Sequence, residues 1–259
     1  NKQSRITLVR DFFGIKPLYY TKKGDKISAF SSEIKSFLSM KNFVPEVNDS
    51  AVFNYLSYQY NPLTEKFFKG VFKLPPAHFM EVNVKTGHAE VKKYWQFKFR
   101  QNNHLSEKKT TEKILETIND SVTHHMVSDV PVGAFLSGGI DSAIIVTLMQ
   151  KIRGGEKIKT FNMSFESMSE ANEAKETALA LETEHHEISV DSKEYFKNLA
   201  KAVWHFDEPV ADPSAIGLYF LAREAVKHVK VVLSGEGADE LFGGYNIYLE
   251  PFARRKIAG

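Results

Sequence analysis

Phe135-Leu136-Ser137-Gly138-Gly139-Ile140-Asp141-Ser142 decides how the rest of this chain is read. Before it, the apolar run from Val130 to Leu136 predicts a buried strand. After it, Ala143 to Lys151 predicts a helix, closed by Gly154-Gly155. A glycine turn between a strand and a helix leaves backbone N–H groups free at the helix N-terminus, where the dipole adds partial positive charge. Such a junction suits an anion, and a phosphate above all. Gly138 and Gly139 let a phosphate approach the backbone, and the hydroxyls of Ser137 and Ser142 can donate hydrogen bonds. Asp141 would repel a phosphate directly, so its place here makes sense if it holds a divalent cation that bridges to the phosphates. Without any ligand, the same residues make a glycine turn capped by serines.

The loop is not a Walker A sequence, because no Lys follows the glycines. Nor is it a nucleophile elbow, which needs a Gly two residues before the serine. A second loop, Ser234-Gly235-Glu236-Gly237-Ala238-Asp239-Glu240, follows a predicted strand from Val229 to Leu233. In a doubly wound parallel sheet, ligands sit beyond the carboxyl ends of strands, so both loops should share one edge. That would bring Asp141 and Asp239 together as a magnesium pair, with Glu236 and Glu240 adding negative charge. Read as structure alone, Asp239 and Glu240 are acids in the first turn of a helix.

The remainder of the chain falls into two halves. Residues 1 to about 98 are strand-rich: Ile6–Arg10, Leu18–Thr21, Ile27–Ser31, His78–Val84 and Ala89–Phe97, with hairpin turns at Lys23-Gly24-Asp25 and Thr86-Gly87. Ser32–Met40 and Asp49–Tyr58 predict short helices. Residues 99–109 read as a polar linker. From Thr110 onward, helix and strand alternate: helices at Thr110–His125, Glu170–Glu182, Lys193–Trp204 and Ser214–His228, and strands at Lys159–Phe165 and His186–Val190. This alternation predicts an α/β fold with a parallel sheet covered by helices on both faces.

Composition narrows the function. A net charge of +2 over 259 residues points to neither nucleic acid nor an acidic membrane as partner. No apolar run reaches transmembrane length, and no secretory signal opens the chain. The absence of cysteine excludes disulfides and a thiol nucleophile in these residues, and a cytoplasmic location is the default. The chain starts at Asn1 close to a strand and stops within an apparent helix, Pro251 to Gly259, so both ends read as cuts. His124-His125 and His185-His186 read as structural, because adjacent side chains point to different faces. Trp95, Trp204 and the many Phe read as core, and Arg254-Arg255-Lys256 as a solvated face.

SGGIDS (137–142) resembles the signature of PP-loop ATP pyrophosphatases, the adenine nucleotide alpha hydrolase-like fold. Further stretches resemble the glutamine-hydrolysing asparagine synthetases: VPVGAFLSGGIDSA (130–143), TEHHE (183–187), DEPVADPSAI (207–216) and VVLSGEGADELFGGY (231–245). RDFFGIKPLYY (10–20), SSEIK (31–35) and FKGVFKLPPAHFM (68–80) resemble the later part of that family's Ntn-type glutaminase domain. The resemblance implies a glutaminase remnant at 1–98 and the first part of a synthetase domain at 110–259. It implies that Leu136, Ser137, Gly138, Gly139, Asp141, Ser142, Met163, Ser234 and Gly235 bind ATP, and that Asp141 and Asp239 bind Mg2+. It also implies that Glu236 supports formation of a β-aspartyl-AMP intermediate, or the attack of ammonia on it. The substrates implied are aspartate, ATP and glutamine or ammonia, and a homodimer is left open.

The chain departs from the family pattern at several points. It has no N-terminal Cys nucleophile, and the glutamine-binding Arg and the Asn-Gly-Glu segment would lie before Asn1. Further substrate contacts, including a lysine, would lie beyond Gly259. Gly217 stands where the family often has Pro, and Glu182 where it has Gly. Rival readings are a β-lactam synthetase-like or peptide-cyclising relative, a tRNA-modifying PP-loop enzyme, and a fragment that does no chemistry. The second of these expects a basic surface or catalytic cysteines, which the composition does not supply.

Overall fold

The computed structural model describes residues 4–100, 104–165 and 170–251. Residues 101–103 of the expected linker, and the Arg254-Arg255-Lys256 run with the helix expected near the C-terminus from residue 252 on, lie outside the described residues. The chain forms two compact units. One comprises residues 1–102 together with 199–215, and the other residues 103–198 and 216–259.

The first unit contains Arg5–Val9 (β1), Tyr19–Lys23 (β2), Lys26–Ser31 (β3), Lys35–Leu38 (α1), Asp49–Tyr58 (α2), Val71–Lys73 (β4), His78–Asn83 (β5) and Ala89–Lys93 (β6). Two antiparallel sheets result, ordered β1-β5-β6 and β3-β2-β4. Strand β4 lies in a stretch with no predicted strand; three residues after Gly70 and before Pro75 are too few to show an alternating pattern. Leu8, Tyr20, Leu74, Met80 and Val82 form one core, and Tyr19, Ile34, Phe37 and Val71 another. Arg10 is buried between turns, where its guanidinium donates to the carbonyls of Leu74 (2.7 Å), Gly14 (2.6 Å) and Lys16 (3.1 Å). Gly14, at φ +70°, lies so close to that guanidinium that a Cβ would clash with it, which explains the glycine in RDFFGIK. Not all the aromatic residues are core, as the sequence suggested. Phe12, Phe13, Tyr94, Trp95, Phe97 and Phe99 form a ladder of tilted and edge-on rings on a largely exposed surface, and Trp204 is itself exposed.

Residues 199–215 join this unit through charge. Asp207 accepts hydrogen bonds from the backbone N–H groups of Ile34 (2.9 Å) and Lys35 (3.1 Å), capping α1 from a distant part of the chain. It also pairs with the Lys35 ammonium at 2.9 Å, with both side chains largely buried. Beside it, Lys66 faces Glu208 at 3.7 Å. Burial raises the Glu208 carboxyl above its ordinary range and lowers the Lys66 ammonium below its own, each partly countered by the other.

The second unit contains Glu107–His125 (α3), Val132–Phe135 (β7), Ile140–Arg153 (α4), Lys159–Phe165 (β8), Glu170–Ala180 (α5), Glu184–Val190 (β9), the first part of Ser192–Phe206 (α6), most of Pro213–Ala225 (α7), Val231–Leu233 (β10) and Ala238–Phe242 (α8). Helix α3 starts at Glu107, earlier than the predicted Thr110, because Ser106 caps it by accepting from the Lys109 N–H. The four strands form a parallel sheet ordered β10-β7-β8-β9. Alternate residues face opposite sides. Val132, Ala134 and Leu136 pack with Val122 of α3, Val146 and Met149 of α4 and Ala174 and Ala178 of α5. Phe135 and Phe161 pack instead with Leu221 and Ala225 of α7. The sheet is therefore doubly wound, as the alternation predicts.

Helix α5 ends in a Schellman turn: Thr183 N–H donates to Ala178 O at 3.0 Å and Glu182 N–H to Leu179 O at 3.1 Å. Glu182 occupies the left-handed position at φ +53°, where glycine is the unstrained residue. Glu182→Gly is expected to stabilise the protein by about 1 kcal/mol, raising Tm by roughly 2–4 °C in a calorimetric scan; an unchanged or lower Tm would refute the strain. Asp207→Asn keeps the size but removes the charge facing Lys35 and two N–H groups. It should cost roughly 2–4 kcal/mol, read as a lower urea midpoint.

Candidate functional site

Strand β7 ends at Phe135, and Leu136 is locked directly beyond it. Its N–H donates to Phe161 O at 2.9 Å, and its carbonyl accepts from Asn162 Nδ2 at 2.7 Å. The Leu136 side chain is 1% exposed, so it forms the floor beneath the loop. Ser137, Gly138, Gly139 and Ile140 then emerge into solvent. Helix α4 begins with Gly139 as its N-cap, and no side chain caps it. The N–H groups of its first turn have no intrahelical acceptor by helix geometry.

The two serines brace the loop in different ways. Ser142 is buried, and its Oγ accepts from the Ser137 N–H at 3.1 Å and lies 3.0 Å from the Gly139 carbonyl and 3.0 Å from Ser137 Oγ. In the conformation described, this hydroxyl braces the loop from inside. Ser137 is exposed, and its Oγ accepts from the Gly139 N–H at 3.2 Å.

The second loop abuts the first. Strand β10 pairs in parallel with β7, Val231 opposite Val132 and Leu233 opposite Ala134, so both strands deliver their loops to one edge. A Cβ on Gly235 would come within 2.9 Å of Asp141 Cβ, Asp141 C and Ser142 N. Only glycine fits between the second loop and the start of α4. Asp141 and Asp239 are half-buried, and Ser234 and Glu236 are exposed. Asp239 lies in the first turn of α8 with its carboxylate against Gly244, and its carbonyl accepts from the N–H groups of Gly243 (2.8 Å) and Gly244 (3.1 Å). Tyr245 donates to Glu240 at 3.0 Å. That bond, with the nearby charges of Glu240, Asp239 and Glu236, pushes its phenol up to about 12. The second loop is thus rich in carboxylates, and its Gly235 lies against the start of α4.

Met163 is half-buried towards the carboxyl end of β8. Gly217 of α7 gives it room, since a Cβ there would sit 2.7 Å from Met163 Cε. Sequence reasoning did not find Asn162, whose amide ties β8 to the loop base, because a lone Asn in a strand carries no motif. His124 and His125 bond back to the carbonyls of Asp120 and Ser121, as expected of structural residues.

A doubly wound parallel sheet with an uncapped helix N-terminus behind a serine-glycine loop defines an α/β domain with a loop suited to an anion at its carboxyl edge. Residues 113–259 match the Asparagine synthase family, and residues 1–95 match the Glutamine amidotransferase domain. The chain belongs to the asparagine synthase family. It is 46% identical over 256 residues to asparagine synthetase [glutamine-hydrolyzing] 1 of Bacillus subtilis, covering 98% of this chain and 40% of that protein. It is 41% identical over 253 residues to a putative glutamine-hydrolysing asparagine synthetase of Mycobacterium tuberculosis, covering 95% and 38% respectively. A putative counterpart from Methanocaldococcus jannaschii is 34% identical over 255 residues, covering 97% and 49%. The chain thus spans two fifths to half the length of these relatives.

Gly235→Ala should force the second loop away from Asp141 and destabilise the protein by about 1–3 kcal/mol. Gly139→Ala meets only the Ser137 hydroxyl, at 3.3 Å, and should cost less. Equal thermal shifts for the two variants would contradict the abutment.

Proposed function

We propose that this chain carries the ATP-dependent half of a glutamine-hydrolysing asparagine synthetase. The observation that carries the reading is the abutment of the two glycine loops at neighbouring parallel strand ends, beside the uncapped N-terminus of α4. Residues 110–259 would be the first part of the synthetase domain and residues 1–98 the later part of the glutaminase domain, with 99–109 joining them. The substrates would be aspartate, ATP, and ammonia released from glutamine. A cytoplasmic enzyme fits this reading; among the described residues no helix is long and apolar enough to cross a membrane.

A carboxylate is a poor acyl donor, because its leaving group would be an oxide. The β-carboxylate of aspartate attacks the α-phosphorus of ATP, forming β-aspartyl-AMP and releasing pyrophosphate. Ammonia then attacks the acyl carbon, AMP leaves with the bonding electrons, and asparagine remains after loss of a proton. In this reading the exposed N–H groups at Gly138 and the start of α4 receive pyrophosphate oxygens, with Ser137 beside them. Ser142 and Asn162 hold the loop in shape. Met163, Ser234 and Gly235 line the nucleotide, with Leu136 beneath. Asp141 and Asp239 would hold Mg2+, which supplies charge neutralisation for the departing pyrophosphate. Glu236, exposed on the second loop, stands ready to take the proton from the attacking ammonia.

Asp141→Asn preserves size and helix position while removing one anionic ligand. In the intact protein, pyrophosphate release dependent on aspartate and ATP should fall by about two orders of magnitude, with the circular dichroism spectrum and Tm retained. Wild-type release from the folded variant would refute the assignment. Pyrophosphate release with another carboxylate but none with aspartate would instead point to a different acceptor.

A further inference from the structure

The amino-terminal side of the parallel sheet carries a second cluster that the nucleotide site does not use. Glu184 and His186 lie two residues apart on β9 and so share one face. His186 stands opposite Phe161 in the β8 pairing, and its ring stacks on the Phe161 ring at 5.2 Å and 14°. His228, three residues after α7, lies over the same phenyl ring, its own ring centre 4.1 Å from that of His186. One ligand atom from each of Glu184, His186 and His228 falls within 4.8 Å of the others. Among the described residues, this is the one such group of three or more metal-ligating side chains.

We propose that Glu184, His186 and His228 form a binding site for a divalent transition-metal ion of the zinc type. Two imidazoles and a carboxylate are a zinc donor set, with the fourth position left to water or another side chain. Glu224 is placed to support the site, since its carboxylate lies 3.3 Å from His228 Nε2. A carboxylate behind a ligating histidine fixes the ring and raises its basicity. The stacked Phe161 ring holds His186 in place, while both imidazoles keep about a quarter of their surface open for metal entry. Lys159 lies 3.5 Å from Glu184, and Lys227 pairs with Glu224. These are exposed or partly exposed pairs worth little, so a divalent cation displaces them at small cost. A bound ion would pin the edge strand β9 to the end of α7 across the sheet face. It would act on stability, apart from the magnesium proposed at the carboxyl end of the same sheet.

The test is calorimetric titration of the EDTA-treated chain with Zn2+, with Mg2+ as the comparison ion, alongside thermal scans. One Zn2+ per chain, a Tm rise of several degrees at saturation, and no such response to Mg2+ are expected. His186→Ala and His228→Ala should each weaken Zn2+ binding by roughly tenfold or more, and the His124→Ala/His125→Ala double variant should bind as the wild type does. If an alanine variant unfolds, Glu184→Gln, which keeps the side-chain shape, should still weaken binding. No stoichiometric Zn2+ binding, or binding lost only with His124 and His125, would overturn the proposal. Because the readout needs neither ATP nor aspartate, failure here is separable from failure of the nucleotide site.

Discussion

Parallel pairing of β10 with β7 is the constraint on which the site depends. The register that sets Leu233 opposite Ala134 ends both strands at the same edge, and the chain has only one or two residues on each side before its glycines. The loops then have nowhere to go except against each other. Gly235 records that closeness, since any side chain there would enter the backbone of α4. Once the loops touch, Gly235 of one is held against Asp141 and Ser142 at the uncapped helix start of the other. A single pairing thus brings the two glycine loops into one place.

The architecture of the second unit was legible because its signals are local. Apolar runs of strand length, helices with one apolar face and glycines at the junctions gave the alternation, and the parallel sheet followed. Less was legible where a role depends on what lies opposite. The bracing bonds of Ser142 could not be read from the motif, because its hydroxyl turns inward to the Gly139 carbonyl. Nothing in TEHHE announces that His186 meets His228, 42 residues later. Only the crossing of α7 over Phe161 brings the two rings together. In the same way Asp207 sits in a motif whose meaning appears only when its carboxylate is found at the start of α1.

The strained residues fall at joints. Glu182 turns the end of α5 into β9, and Asp207 takes a left-handed backbone (φ +65°) where it turns its carboxylate to Ile34 and Lys35. Their physical settings differ. At Glu182 nothing is gained from the side chain, so the strain is a plain cost of sequence. At Asp207 two charge-assisted hydrogen bonds and an ion pair offset it.

The place of residues 199–215 has a practical consequence for dissecting the molecule. The first unit is discontinuous: its charge network draws Asp207 and Glu208 from far beyond the stretch that reads as a linker. A cut near residue 100 would separate residues 199–215 from the unit they pack in. The N-terminal piece would keep Lys35 and Lys66 without their acids and the start of α1 without its cap. The boundary between the two family matches and the boundary between the two compact units are different lines.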